Sequence, residues 1–245
     1  RPVASARGDA CAWPHNGSCA GVMVRVGRPD GASAEQLVLV DATSVAGAAS
    51  VDIAQTDAYY FAPQKAFASD GGLWLSVLSP AAIERAQRLD RDASRWVPSF
   101  LSLTSAIDNS RKNQTLNTPA VATLVLLAEQ IEWMLARGGL AWADERTRTT
   151  SGMLQNWAAG REEITPFVTD PSARSQVVTT LDVDESIDAT AITALLRAHG
   201  VVDIEPYRKL GRNQLRIATF PAVGEEDVAA LIRVLDHVLD STADA

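Results

Sequence analysis

The stretch LVLVD at residues 37–41 decides the fold of this chain: it is a short, wholly apolar run that ends in a carboxylate. A second apolar run, YYFA at residues 59–62, is followed within three residues by Lys65. Apolar runs of this length are typical of strands buried on both faces, as in parallel sheets. Open α/β sheets bind ligands beyond the carboxyl ends of their strands, so Asp41 and Lys65 are predicted to lie at a ligand site.

A carboxylate and an amine at this edge of a sheet suit pyridoxal phosphate. This cofactor needs a lysine to hold its aldehyde covalently, and a carboxylate to keep its ring nitrogen protonated. Burial lowers the pKa of such a lysine, which keeps its amine neutral and nucleophilic. From the local pattern alone, two loop charges paired at the surface are an equally good interpretation of Asp41 and Lys65.

Composition excludes several classes of protein. The chain has 245 residues, of which 47% are apolar and 21% charged, as in ordinary globular proteins. A net charge of −8 leaves no surplus of cations to neutralise nucleic-acid phosphates. No apolar run approaches the length of a membrane-spanning helix, and Cys11 and Cys19 are predicted to form neither a disulfide framework nor a metal site. We therefore expect a soluble cytoplasmic protein that binds small molecules, with no metal, nucleic acid or membrane as a partner.

The middle of the chain is predicted to be helical on both sides of a long connection. Ser79 and Pro80 are typical of an N-cap and a first helical turn. Residues 101–116 show no clear periodicity and predict a long polar loop. For the helix that follows, we predict Thr118 as the N-cap and Pro119 as the first residue. A helix N-terminus with a capping hydroxyl favours anions, although a cap with no ligand explains Asn117 and Thr118 equally well.

The pair Gly138-Gly139 ends that helix and is the predicted domain boundary. Residues 1–138 then form a large domain, and residues 139–245 a smaller α+β domain. Within the smaller domain we predict helices at residues 141–159 and 188–199, strands at 176–181, 201–204 and 215–219, and a last helix with one apolar face (Val228, Leu231, Ile232, Leu235 and Val238).

Arg216 is the most informative cation in the second half, because it falls inside an apolar strand. Burying an unpaired charge is costly, so an anionic partner is expected. That partner is either a carboxylate of the chain itself or an anionic substrate. For Arg208, Lys209 and Arg212, a solvated loop and a phosphate site are equally good interpretations.

Four stretches carry a resemblance to a known family: LVLVDATSVAG (37–47), TDAYYFAPQKAFASDGGLWLSVLSP (56–80), NTPAVATLVLLAEQIEWM (117–134) and EPYRKLGRNQLRIATFPA (205–222). In this order they resemble the phosphoserine aminotransferases of the actinobacterial branch, within the class V, fold-type I pyridoxal phosphate enzymes. The resemblance implies an α/β fold with a mainly parallel sheet in the large domain, here partial, and a small α+β C-terminal domain. Family members carry a substantial N-terminal portion before this point, so we expect the chain to be N-terminally incomplete and a poor enzyme by itself.

The resemblance also implies an activity and a set of site residues. Glutamate and 3-phosphohydroxypyruvate would exchange an amino group to give O-phosphoserine and 2-oxoglutarate, a step of L-serine biosynthesis, in a homodimer with shared active sites. Lys65 would be catalytic; Ser18, Asp41, Gln64, Lys65, Asn117 and Thr118 would bind the cofactor; Arg216, with Arg212 and Arg208 as further candidates, would bind substrate. Asn117 and Thr118 would reach the cofactor phosphate of the other subunit.

The chain departs from the family at one cofactor contact. Asn16-Gly17-Ser18 stands where the family usually has Asn-Glu-Thr, so Ser18 keeps the hydroxyl but loses the methyl group that fixes its rotamer. We interpret the neighbouring His15 as structural. Two alternative functions stay open: a class V aminotransferase for an unphosphorylated 2-oxo acid, or a non-catalytic fragment that binds no cofactor.

Overall fold

The computed structural model describes residues 8–243 and contains two main sheets. The strands of the first part are β1 (Ala10–Pro14), β2 (Asn16–Gly17), β3 (Val22–Met23), β4 (Leu37–Asp41), β5 (Ala58–Phe61) and β6 (Leu75–Leu78). The first sheet has the order β1-β4-β5-β6, and β2 and β3 form a separate short hairpin. Strands β1, β4 and β5 are parallel, whereas β6 runs antiparallel to β5. Val38 and Val40 of β4 are fully buried, so the predictions of parallel pairing and of a buried β4 are confirmed. The prediction that the second strand is buried on both faces is wrong, because Tyr60 of β5 is 41% exposed.

The second half of the chain builds an antiparallel sheet covered by helices. Its strands are β7 (Ile164–Pro166), β8 (Val178–Val183) and β9 (Gln214–Ala218), in the order β7-β8-β9. The helices of the whole structure are α1 (Pro80–Asp90), α2 (Leu103–Ser110), α3 (Val121–Ala136), α4 (Gly139–Ala159), α5 (Ala189–Ala198) and α6 (Glu225–Ala243). The apolar face predicted for the last helix lies in this core, where Val228, Leu235 and Val238 are buried.

Two apolar cores accompany the two sheets, and α4 connects them. One core surrounds β4 and β5, and the other packs α4, α5 and α6 against the second sheet. The predicted break at Gly138-Gly139 coincides with the turn between α3 and α4, where both glycines have positive φ (119° and 66°). Thr147 of α4 donates to the Ala48 carbonyl at 2.9 Å, so α4 also contacts the first sheet's side. The division into domains at this turn stays a prediction.

Two predicted segments, one loop and one strand, are wrong. The predicted loop at residues 101–116 contains α2, capped by the Ser102 hydroxyl, which accepts from the Ser105 amide at 3.2 Å. A helix of two turns offers too few apolar positions for its period to stand out. Residues 201–204 do not form a strand, because Asp203 has a left-handed backbone (φ 64°) that interrupts the extended chain. Only the Ile204 carbonyl joins β9, by accepting from the Arg216 amide at 2.9 Å.

The caps of the two helices that flank this region behave differently. The Ser79 hydroxyl accepts from the Ala82 amide at 3.1 Å, which confirms the predicted start of α1. The predicted cap at Thr118 is wrong, because α3 begins at Val121 and Ala120 takes the N-cap position with no side-chain hydrogen bond. Ala120 keeps an extended backbone (ψ 94°) after Pro119, so Thr118 lies too far from the first helical amides to cap them.

A buried carboxylate fixes the end of the first sheet away from the predicted site. Asp57 Oδ2 accepts from the Val38 amide (2.8 Å) and from Arg28 Nη2 (2.7 Å), and Oδ1 accepts from the Ser79 hydroxyl (2.7 Å). Burial by itself raises the pKa of the Asp57 carboxyl. The hydrogen bonds from Ser79, Val38 and Arg28 outweigh burial and hold that pKa below its ordinary value.

Asp57→Asn should lower the free energy of unfolding at pH 7 by about 1.5–3 kcal/mol, because it removes a charged acceptor from three donors. The folded-state pKa lies below the unfolded value, so this contribution is present above about pH 4 and is lost as the pH falls through the folded pKa. Urea unfolding at pH 7 and near pH 3 measures it, with exposed Asp90→Asn as the control. An equal deficit at both pH values would contradict the ionised role of Asp57.

Candidate active site

Asp41 lies at the carboxyl end of β4 with one oxygen fixed and one free. Its Oδ1 accepts from the Thr43 amide (2.9 Å) and from the Thr43 hydroxyl (2.5 Å). Within residues 8–243, Oδ2 accepts no hydrogen bond. Thr43 therefore orients the carboxylate and leaves Oδ2 available for a cationic partner.

Lys65 lies at the same edge, on the loop that follows the neighbouring strand. Asp41 is paired with Tyr60 in the parallel register of β4 and β5, and Lys65 comes four residues after the end of β5. The half-buried Lys65 side chain forms no hydrogen bond or ion pair with any described residue. The alternative of a surface pair between Asp41 and Lys65 is therefore not seen in this structure. Ala68, three residues later, has φ 48°, a strained conformation of the kind that clusters at functional sites.

A glycine–phenylalanine contact joins the loops that carry Asp41 and Lys65. Gly47 has φ 85°, and a Cβ built on it would lie 2.6 Å from Cζ of Phe67. Phe67 in turn stacks on Phe61, with ring centroids 5.6 Å apart. Only glycine fits between the two loops, so their relative position depends on this contact.

Ser18 is held beside the Asp41 loop by buried polar groups. The Ser18 hydroxyl donates to Ser44 Oγ at 2.6 Å, and Asn16 Nδ2 donates to the same oxygen at 2.9 Å. The His15 amide donates to the Asp41 carbonyl at 2.8 Å, so the segment that carries Ser18 begins next to the end of β4. These contacts bring Ser18 and Asp41 to one edge of the sheet.

His15 is buried at this edge, and its ring faces Tyr59. Nδ1 lies 3.2 Å from the Tyr59 hydroxyl, and the two rings meet edge to face. Burial lowers the pKa of His15 to about 4, so the imidazole is neutral at physiological pH. These contacts support the structural interpretation of His15.

Of the three candidate arginines, the structure brings only Arg216 to this edge. Its Nη1 donates to the Ser18 carbonyl at 3.4 Å, and its Nε is buried without a partner. No carboxylate of the described chain lies within 4.0 Å of it, so the alternative of an internal ion pair is not found. Arg212 instead forms two hydrogen bonds to Asp182, at 2.9 and 2.6 Å, and Arg208 is exposed on a single 3₁₀ turn.

The remaining predicted residues lie on exposed segments. Asn117 and Thr118 precede α3, and Asn117 lines a cleft of about 740 Å³ between β6, α2 and the start of α3. The first turn of α3 contacts the loop beyond Lys65, because the Ser69 hydroxyl donates to the Thr123 carbonyl at 3.3 Å. Gln64 is exposed. No hydrogen bond within residues 8–243 joins Asn117 or Thr118 to Asp41 or Ser18.

Sequence reasoning missed three residues that shape this edge. Thr43 was recognisable in principle, because a threonine two residues after an aspartate is a common local hydrogen-bonding pattern. Ser44 and Gly47 carry no such local signal, since their partners are 26 and 20 residues away in sequence.

The site fits a group with a protonated ring nitrogen, an aldehyde and a ring hydroxyl. Asp41 Oδ2 is free for the ring nitrogen, the unpaired Lys65 amine can hold the aldehyde, and the Ser18 hydroxyl can meet the ring oxygen.

No group of three or more His, Cys, Asp or Glu residues within the described chain could hold a metal ion. Over the same residues, the longest apolar helices fall short of what a membrane crossing requires.

Comparison with known proteins gives relatives along almost the whole chain. A phosphoserine aminotransferase of Rhodococcus opacus is 54% identical over 97% of this chain, and one of Rhodococcus jostii is 54% identical over the same share. This chain spans 63% of the length of each. The crystal structure of a phosphoserine aminotransferase from Cytophaga hutchinsonii superposes with a TM-score of 0.84 at 22% identity, covering 94% of this chain and 63% of that one.

The structural match and the parallel strands that carry Asp41 and Lys65 define the same fold. It is the α/β fold-type I, which a large class of pyridoxal phosphate enzymes shares. The aminotransferase class-V family model matches residues 23–204, and the chain belongs to that family.

Gly47→Ala should displace Phe67 and the Lys65 loop, because the new methyl group overlaps the ring and φ 85° is strained for alanine. We expect the free energy of unfolding to fall by about 1–3 kcal/mol. Gly152→Ala is the matched control: Gly152 lies inside α4 with no atom within 4 Å of the new Cβ, so it should be neutral or stabilising by up to about 1 kcal/mol. Chemical denaturation of both variants measures the difference, and equal stabilities would refute the Phe67 contact.

Proposed function

We propose that this chain is the larger part of a phosphoserine aminotransferase, which transfers the amino group of glutamate to 3-phosphohydroxypyruvate to give O-phosphoserine and 2-oxoglutarate. The observation that carries the proposal is the edge of β4 and β5, where Asp41 Oδ2 and the Lys65 amine both lack a partner among the described residues. The Rhodococcus relatives, at 54% identity, support the substrate pair. Pyridoxal phosphate, when bound, supplies the electron sink for the reaction.

Each site residue has a distinct role in this proposal. Lys65 would hold the cofactor aldehyde, and its amine would move the proton at the substrate Cα. Asp41 keeps the ring nitrogen protonated, because a carboxylate stabilises the adjacent cation. Ser18 and Gln64 complete the cofactor contacts on the same subunit.

Arg216 is proposed to bind the α-carboxylate that glutamate and the keto acid share. Its guanidinium points to the Ser18 backbone, and its buried Nε has no acceptor within residues 8–243. A guanidinium grips a carboxylate with two parallel hydrogen bonds and so fixes its orientation. Arg212, already paired with Asp182, is the weaker candidate, and Arg208 stays a candidate for the substrate phosphate.

The proposed enzyme is a cytoplasmic homodimer in which Asn117 and Thr118 contact the cofactor phosphate of the other subunit. Helix α3, which follows them, is apolar on several faces: Val121 is 61% exposed, Val125 53% and Leu135 64%. Helices of this composition are normally buried, and large exposed apolar patches mark interfaces. The chain spans 62–64% of the length of the curated relatives it matches, so further parts of the full enzyme are expected to complete the site and its activity.

Borohydride reduction of the chain loaded with pyridoxal phosphate should label Lys65. The chain has only three lysines, Lys65, Lys112 and Lys209, so peptide mapping gives an unambiguous answer. Lys65→Ala should abolish both the label and the visible absorbance, whereas Lys112→Ala should preserve both. A colourless wild-type chain at millimolar cofactor would favour the non-catalytic alternative, and a label on another lysine would remove Lys65 from its role.

Arg216→Lys should weaken glutamate binding to the cofactor-loaded chain about 10- to 100-fold, since a hydrogen bond to a charged group contributes about 1.5–3 kcal/mol. The cofactor affinity should not change, because Asp41 and Lys65 are untouched. Glutamate titration followed by the visible absorbance measures the effect, with exposed Arg233→Lys as the control.

Unchanged glutamate binding in Arg216→Lys would contradict the proposal that Arg216 binds the substrate α-carboxylate. Weakened glutamate binding in Arg212→Lys would assign that role to Arg212 instead. A competition between 3-phosphohydroxypyruvate and an unphosphorylated 2-oxo acid of the same length separates the proposed substrate from the alternative class V activity.

A further inference from the structure

Two buried polar residues, Asn16 and Ser44, form a hydrogen-bonded cluster with the Ser18 hydroxyl. Ser44 is 3% exposed and Asn16 6%. The Ser44 hydroxyl lies 2.6 Å from the Ser18 hydroxyl, and Asn16 Nδ2 lies 2.9 Å from Ser44 Oγ and 3.5 Å from Ser18 Oγ. Asn16 presents its Nδ2 to Ser44, and its own Oδ1 is buried without a partner among the described residues. Buried polar atoms are nearly always hydrogen-bonded, so the unpartnered Oδ1 is an exception, and the donor end of the amide makes its contacts in this cluster.

The direction of the hydrogen bonds follows from the donors available. Ser44 Oγ accepts from Asn16 Nδ2 at 2.9 Å and, in this structure, also from the Ser18 hydroxyl at 2.6 Å. The Ser44 proton then has no acceptor among the described residues. Hydroxyl protons rotate at little cost, so across 2.6 Å the bond can reverse and Ser44 can donate to Ser18.

We propose that Asn16 and Ser44 are positioning residues that turn Ser18 into a hydrogen-bond donor for an anionic ligand oxygen. The proposal rests on the proposed function, in which the ligand is pyridoxal phosphate and the oxygen is its ionised ring hydroxyl. When that oxygen arrives, Ser18 donates to it, Ser44 donates to Ser18, and Asn16 continues to donate to Ser44. Each hydroxyl keeps its own proton and only rotates, so no proton is transferred. Consecutive hydrogen bonds of this kind strengthen one another.

The chain of hydrogen bonds from Asn16 through Ser44 to Ser18, called the relay below, also accounts for the serine at position 18. A serine lacks the methyl group that restricts the side-chain rotamer of a threonine. The Ser44 hydroxyl at 2.6 Å and the Asn16 amide hold the Ser18 hydroxyl from behind instead. Its direction then depends on hydrogen bonds rather than on branching at Cβ.

The first arm of the test needs no ligand and uses thermal unfolding of the full chain. Ser18→Ala should lower the Tm by about 2–4 °C, the shift expected for one hydrogen bond in a chain of this size. Ser44→Ala should lower it further, because it also removes the acceptor of the Asn16 amide. Because both remove the same bond, the double variant should melt no lower than the worse single variant. Fully additive Tm shifts would contradict the hydrogen bond between Ser18 and Ser44.

The second arm measures the pH midpoint of the visible absorbance of the chain loaded with pyridoxal phosphate. A donor to the ionised ring oxygen lets the neighbouring Lys65 nitrogen lose its proton at lower pH. Ser44→Ala should therefore raise the midpoint by roughly half to one pH unit. Asn16→Asp, which replaces the donor by an acceptor of the same shape, should raise it similarly. In combination with Ser18→Ala, neither substitution should raise the pH midpoint beyond the value for Ser18→Ala alone.

Ser151→Ala is the matched control, because Ser151 is buried in α4 and, within residues 8–243, its hydroxyl bonds only to the Arg148 carbonyl. It should leave the midpoint unmoved, so that a general loss of stability is separated from the relay. Normal cofactor binding with an unmoved midpoint in Ser44→Ala and Asn16→Asp would overturn the relay alone. A wild-type chain that shows no visible band would instead overturn the proposed function and, with it, the ligand end of the relay.

Discussion

The parallel pairing of β4 with β5 is the constraint on which the site depends. The register that places Asp41 opposite Tyr60 brings two chain segments, far apart in sequence, to the same edge of one sheet. Burial of Val38, Val40 and Tyr59 on these strands makes the register specific, because a slip by one residue would move buried side chains to the opposite face. At the other end of the strands, Asp57 fixes the start of β5 against the amide of Val38.

Tight backbone contacts then bring the two halves of the chain to that edge. The β2–β3 hairpin lies against β8, where the Thr180 hydroxyl donates to the Ala20 carbonyl at 2.9 Å. Gly21 makes this approach possible, since a Cβ there would lie 2.7 Å from the Thr180 hydroxyl. Arg216 is the residue of β9 paired with Thr180, and so reaches the Ser18 carbonyl from the second sheet. The proposed substrate-binding arginine thus depends on the same hairpin that carries the proposed cofactor contact.

The exposed apolar surface of α3 contrasts with the fully packed core of the second sheet. Leu154, Leu181, Leu215 and Leu235 are completely buried there. On α3, by comparison, only Thr123, Leu127 and Met134 are buried. A helix with this composition is stabilised mainly by what packs on it, and the cleft beside β6 and α2 adds to the uncovered apolar area. Assembly and catalysis would be coupled in the proposed dimer, because Asn117 and Thr118 lie on the segment just before this helix.

The sequence by itself determined the strands β4 and β5, the placement of Asp41 and Lys65 after them, the start of α1 and the apolar face of α6, because each is set by residues adjacent in the chain or one helical turn apart. It also marked Arg216 as a cation in need of an anion. It misjudged α2, the start of α3 and residues 201–204, where short segments or single backbone angles override the local pattern. Only the tertiary structure decided that Arg216, the first of the three candidates, contacts the Ser18 segment, and that Ser44 and Gly47 shape the site. Those contacts join residues 20 to nearly 200 positions apart, and no local periodicity encodes which distant atoms will meet.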